Sequence, residues 1–87
     1  MATIHLTGLV PGPKSAALLE RRRRAVLNGV ATLHPIFVER ASGATITDVD
    51  GNTFIDFTGG IGVMNAGHAD PAVTSAIAVQ AARFTHV

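Results

Sequence analysis

Cysteine is absent from the 87 residues, which excludes a disulfide staple and a thiolate metal site. That absence is compatible with a reducing cytoplasm, the expected location. Lysine occurs once, as Lys14, inside a Pro-Gly-Pro segment rather than a desolvated pocket, so it is a poor Schiff-base candidate. Charge is sparse as well: 15% of residues are charged and the net charge is +1, which gives no global pull toward nucleic acid or membrane. No run approaches the roughly 18 apolar residues that a membrane span requires. No apolar segment behind a basic start marks a signal peptide. A soluble chain with neither a nucleic-acid nor a membrane partner is expected.

What is present is apolar. Hydrophobic residues make up 47%, too many for an intrinsically disordered chain. That is also greasy for a self-contained small domain, which buries only a modest share of its surface. A place within a larger protein, or a face buried against a partner, is the expectation.

Along the chain, residues 1–14 read as an arm or linker broken by Pro11-Gly12-Pro13, through which no helix can run. Ser15 stands where an N-cap belongs, residues 16–27 are good helix formers, and Gly29 suits the position that ends a helix. Leu18, Leu19 and Val26 form a narrow apolar stripe. Arg21 to Arg24 point in four directions with no aromatic interleaved for base stacking. They read as a solvated face, with Glu20 pairing to Arg23 or Arg24. His34-Pro35 forces extended backbone and redirects the chain. Residues 36–40, 45–49 and 53–57 then read as three strands. Asp50-Gly51 is a hairpin signal of type I′, which would place Ile46 opposite Ile55 and Thr47 opposite Phe54, leaving apolar side chains on both faces.

The glycine-dense run 58–62 invites a phosphate-loop reading, which the spacing rejects. Gly60-Ile61-Gly62 is followed three residues on by Asn65, the next helix starts too late, and no Walker lysine is present. A tight bend against a neighbouring sheet is the expectation. Asp70-Pro71 opens a last helix as N-cap and first residue. Val73, Ile77 and Phe84 lie on its stripe with Ala76 and Ala81 beside it, and it runs to about Phe84. An apolar helix ending so abruptly reads as cut.

No catalytic constellation emerges from the residues themselves. His5, His34, His68 and His86 form no i, i+4 pair, so a structural role is favoured over zinc. Asp50 suits turn chemistry, and Asp48 and Asp56 suit edge solvation or capping. No Gly-x-Ser-x-Gly elbow supports a serine nucleophile.

The run HPIFVERASGATITDVDGNTFIDFTGGIGVMNAGHADPAVTSAI resembles the N-terminal segment of class III aminotransferases, pyridoxal-phosphate enzymes of the aspartate-aminotransferase-like fold. Gly43, Asp48, Gly51, Asp56, Phe57, Asn65, Gly67, His68, Pro71 and Val73 carry the match. With LLERRRRAVLNGV ahead of it, the segment is most similar to 4-aminobutyrate aminotransferases, and the resemblance covers roughly residues 12–87. It implies a helix and a three-stranded antiparallel sheet that pack over the active-site mouth and against the second subunit of a homodimer. It implies that Ile61 lines the pocket beside the aliphatic chain of an ω-amino acid, with His34-Pro35 near the entrance. The other matched residues would be structural. The family's lysine, its aspartate on the pyridine nitrogen and its phosphate-binding residues come later in such enzymes, so no catalytic, cofactor-binding or metal residue is assigned here.

The expectation is therefore an α+β arrangement: an N-terminal helix, a small three-stranded antiparallel sheet and a C-terminal helix. Residues 1–14 would form an arm and 15–87 the N-terminal segment of an aminotransferase lacking its large cofactor-binding domain. The parent enzyme would transfer the amino group of 4-aminobutyrate to 2-oxoglutarate in ping-pong fashion, with pyridoxal 5′-phosphate carrying the electrons. The segment alone would be inactive. An ornithine, acetylornithine or diaminobutyrate aminotransferase is the alternative within the family. A small interaction module docking through its apolar helix or Arg21 to Arg24 is the alternative outside it.

Overall fold

A computed structural model describes residues 3–87. The elements run α1 (Pro13–Ala25), β1 (Val38–Ser42), β2 (Thr45–Asp48), β3 (Thr53–Ile55), a single helical turn α2 (Gly59–Gly62) and α3 (Pro71–Ala81). The strands form one antiparallel sheet in the order β1-β2-β3. The α+β architecture is the expected one, with α2 added to it.

Helix α1 starts three residues earlier than the sequence signal suggests, and Ser15 is not its cap. Pro13 occupies the first turn, where its missing N–H costs nothing, and Gly12 is the N-cap with no side chain to offer. The cap comes instead from the hairpin tip. Asp50 Oδ1 accepts from the Lys14 N–H at 2.7 Å, and Oδ2 from the Ser15 N–H at 2.8 Å. A carboxylate thus meets the positive end of the helix from a distant point in the chain. Partial desolvation raises the Asp50 carboxyl, but the Ser15 and Lys14 N–H groups outweigh it, so its pKa lies below the ordinary 3.8. The side chain of Ser15 is fully buried, and its Oγ accepts from the Phe37 N–H at 3.2 Å, which fixes the approach to β1. The helix ends at Ala25 rather than residue 27. Gly29 serves a turn closed by Val30 N–H to Leu27 O at 3.1 Å, while an Arg22 guanidinium nitrogen donates to Val30 O.

The hairpin is present, but its register differs by one residue from a two-residue Asp50-Gly51 loop. Thr45 faces Ile55, Ile46 faces Phe54 and Thr47 faces Thr53. Asp48 N–H donates to Asn52 O at 2.9 Å, so the loop holds three residues and only Gly51, at φ +85°, takes a left-handed conformation. A one-residue slip exchanges the faces. Ala41, Ile46 and Phe54 now share one side, and Thr45, Thr47, Thr53 and Ile55 take the other, so apolar side chains still stand on both faces. The reason is Asp48, whose Oδ1 accepts from the Asp50 and Asn52 N–H groups at 3.0 and 2.8 Å and whose Oδ2 accepts from Asn52 Nδ2 at 2.9 Å. β1 begins two residues later than expected and carries a bulge between Val38 and Arg40. β3 stops at Ile55, two residues short of the predicted end.

The arm over residues 3–12 lies along the hairpin. His5 and Thr53 exchange backbone hydrogen bonds of 3.1 and 2.6 Å, and Asn52 Oδ1 accepts from the Thr7 N–H and hydroxyl at 2.7 and 3.0 Å. The fully enclosed side chains are polar: Ser15, Asp48 and Asn52. No hydrophobic side chain is fully buried among the described residues. The radius of gyration, 15.3 Å, exceeds the roughly 12 Å of a globular chain of this length. Polar networks and backbone ladders hold this shape, with apolar faces left open.

Candidate functional site

The loop from Asp56 to His68 leaves the sheet and returns to the same point. Asp56 N–H donates to Ala44 O at 2.8 Å, and His68 and Gly43 exchange backbone hydrogen bonds of 2.9 Å each. Both ends are thereby pinned to the β1–β2 turn. Glycine suits both sides of that junction. Gly43 and Gly67 have φ of +56° and +83°, and a Cβ on Gly67 would lie 3.1 Å from Gly43 Cα.

A carboxylate–imidazole pair closes the loop across its base. His68 Nε2 lies 2.6 Å from Asp56 Oδ2, and the two side chains are 21% and 5% exposed. With Asp56 ionised, Nε2 is the nitrogen that carries the hydrogen. The other carboxylate oxygen, Oδ1, accepts from the Thr58 N–H at 3.1 Å, the Thr58 hydroxyl at 2.9 Å and the Gly59 N–H at 2.9 Å. The His68 ring first, then the Thr58 hydroxyl and these N–H groups, hold the Asp56 carboxyl at about 2, below its ordinary 3.8.

Beyond that anchor, α2 winds the wrong way. Gly59, Gly60, Ile61 and Gly62 have φ of +55°, +66°, +65° and +75°. The turn is closed by Gly62 N–H to Thr58 O at 2.8 Å and Val63 N–H to Gly59 O at 3.0 Å. Left-handed turns are costly for L-residues with a Cβ, which explains why three of four positions are glycine. The fourth is a β-branched isoleucine at φ +65°, ψ +55°, and its side chain is 74% exposed. A residue in that region is an outlier that the surrounding structure must impose. The expected tight bend is there. Positive φ at Gly59, Gly60 and Gly62 is what their glycine identity allows; that Ile61 shares the left-handed conformation is not readable from the spacing.

Two clefts flank the sheet. One, of about 360 Å³, lies under the loop between Gly43, Asp56, Thr58, Gly59, Met64 and His68. The other, of about 480 Å³, is lined by Val10, His34, Pro35, Ile36, Ile46 and Phe54 among others. His34-Pro35 thus meets the apolar side of the sheet, while Ile61 lines neither cleft and projects outward. Arg23 pairs with Glu20 at 3.7 Å on an open surface, as the helical spacing suggests. The Asp56–His68 contact was not anticipated. Both residues belong to the motif, and only the fold joins them.

Pyridoxal phosphate does not fit the residues present here. Lys14, the one lysine, stands at the start of α1 with its N–H on Asp50, and neither cleft contains a lysine. No group of three or more metal-binding side chains occurs among the described residues. No helix among them is long and apolar enough to cross a membrane.

Residues 26–87 match the family model for class-III aminotransferases. The chain is 48% identical over 77 residues to the 4-aminobutyrate aminotransferase of Mycobacterium tuberculosis, covering 88% of this chain and 17% of that protein. It is 46% identical over 70 residues to the 5-aminovalerate aminotransferase DavT of Pseudomonas aeruginosa, covering 80% and 16%. Among solved structures, an omega-transaminase from Sphaerobacter thermophilus superposes with a TM-score of 0.73 at 35% identity, covering 90% of this chain and 19% of that one. The chain belongs to the class-III aminotransferases. It spans about a sixth of the length of the curated relatives it matches.

Proposed function

We propose that residues 15–87 form the N-terminal segment of a cytoplasmic, homodimeric ω-aminotransferase that moves the amino group of 4-aminobutyrate to 2-oxoglutarate. Pyridoxal 5′-phosphate, the cofactor the family implies, would be held by residues outside this chain. The part assigned to this chain is the outer wall of the substrate pocket. The observation that carries it is Ile61, a β-branched side chain fixed on a left-handed glycine turn, 74% exposed and lining neither cleft among the described residues. An apolar group in that position suits the methylene chain of an ω-amino acid. The name borne by the 48% identical relative favours a four-carbon donor.

A second reading, 5-aminovalerate as donor, is favoured by the DavT relative. The two donors differ by one methylene, which an apolar pocket discriminates by about 1–3 kcal/mol. The test is glutamate formation by the enzyme carrying this segment, with each donor in turn and with Ile61→Tyr and Ile61→Arg. Both variants are expected to lower kcat/KM for 4-aminobutyrate by about tenfold or more, the loss of close to 1.4 kcal/mol of transition-state stabilisation. Unchanged kinetics would remove Ile61 from the pocket.

A further inference from the structure

The loop that bears Ile61 is attached to the sheet at one junction. Its N-terminal end is held by Asp56, through its N–H on Ala44 O, and its C-terminal end by His68, through the paired backbone bonds to Gly43. The left-handed turn itself rests on Asp56 Oδ1, which receives the Thr58 and Gly59 N–H groups. The same carboxylate binds the His68 ring through Oδ2. One side chain therefore joins strand β3, the start of the turn and the return of the loop. With four consecutive residues at positive φ, the turn has poor intrinsic stability and takes its geometry from that anchor.

We propose that Asp56 and His68 are positioning residues for donor specificity: their carboxylate–imidazole pair sets the reach of Ile61 and so the preferred length of the ω-amino acid. This rests on the reading of Ile61 as a pocket residue and extends it to two residues that do not contact substrate. A loop closed across its base by a 2.6 Å contact has little freedom to tilt. Opening that contact frees the loop about the Gly43–Gly67 junction and lets Ile61 withdraw. A longer donor then gains room, and a four-carbon donor loses its apolar wall.

The test is the ratio of kcat/KM for 4-aminobutyrate to that for 5-aminovalerate, measured on the enzyme carrying this segment. The variants are Ile61→Ala, Asp56→Ala, Asp56→Asn, His68→Ala, His68→Gln and the Asp56→Ala/Ile61→Ala double. Asp56→Ala and His68→Ala are expected to shift the ratio threefold or more in the direction of Ile61→Ala, mainly through KM for 4-aminobutyrate. Asp56→Asn keeps an acceptor for the turn and His68→Gln keeps a donor, so both should recover at least half of the shift. The double variant should show no more change than Ile61→Ala alone, because the pair acts through Ile61. If Ile61→Ala leaves the ratio unaltered, the pocket reading fails and this inference with it. If Ile61→Ala shifts the ratio but the Asp56 and His68 variants do not, or add to it independently, the pocket reading stands and the positioning role is overturned. Should Asp56→Ala not fold, His68→Ala and the His68→Ala/Ile61→Ala double against Ile61→Ala give the same decision.

Discussion

Ile61 holds a backbone conformation that glycine adopts freely and a β-branched residue adopts at a cost on the order of 1–2 kcal/mol. Replacing it by glycine should therefore raise the thermal stability of the enzyme by about 1 kcal/mol while lowering kcat/KM for 4-aminobutyrate. Calorimetry and steady-state kinetics on the same preparation would show the opposed changes. A variant neither stabilised nor impaired would contradict the account of this residue. Asp56 yields a second prediction at this scale, in pH. Its folded pKa, about 2, lies below the ordinary 3.8, so its contribution to stability is present above about pH 4 and is lost as pH falls toward 2. Asp56→Asn should unfold at a lower temperature than the parent at pH 5, and the gap should close as pH approaches 2. A gap constant across that range would mean that the carboxylate charge does not matter here.

At the scale of elements, the hairpin tip and the start of α1 form one unit, because the helix is capped by Asp50 rather than by a neighbour in sequence. A Cβ on Gly12 would collide with the Asp50 carboxyl group, which two helix N–H groups hold in place. Gly12→Ala should therefore detach the helix start from the hairpin at a cost of about 1–3 kcal/mol, read by denaturant unfolding. A change within 0.5 kcal/mol would show that the cap tolerates displacement. This long-range cap also explains why Ser15 does not cap the helix. Ser15 has the identity of an N-cap and the right place before a helical run, yet its hydroxyl is turned to Phe37, and Pro13 was the better start signal. The hairpin was legible from Asp50-Gly51, but its register was not. The side chain of Asp48 adds a residue to the loop, and a turn dipeptide carries no information about that bond. The last helix was legible at its start, where Asp70 Oδ1 accepts from the Ala72 and Val73 N–H groups at 3.0 and 3.1 Å. It ends at Ala81, three residues short of the expected Phe84, with Ala82 as its cap. The motif residues 43–68 were recognisable as a pattern. That Asp56, His68, Gly43 and Gly67 meet at one junction is a property of the folded loop.

At the scale of the whole molecule, the apolar residues that give the sequence its greasy character are at the surface. Val73 and Ile77 of α3 and Phe84 just beyond its end, the expected apolar stripe, are 48%, 61% and 52% exposed, and no residue of that helix is buried. Exposed apolar area on this scale marks an interface, in keeping with a chain that spans about a sixth of its relatives. The isolated 87-residue chain should accordingly bind a hydrophobic dye and aggregate, and a monodisperse, dye-silent monomer would argue against covered faces. The most direct measurement is the intact mass and cofactor absorbance of the protein purified from its native source, with glutamate formation assayed on the same sample. The account predicts a mass several times 9.0 kDa, the yellow absorbance of bound pyridoxal phosphate, and glutamate from 4-aminobutyrate and 2-oxoglutarate. A 9.0 kDa species without cofactor and without transamination would contradict it.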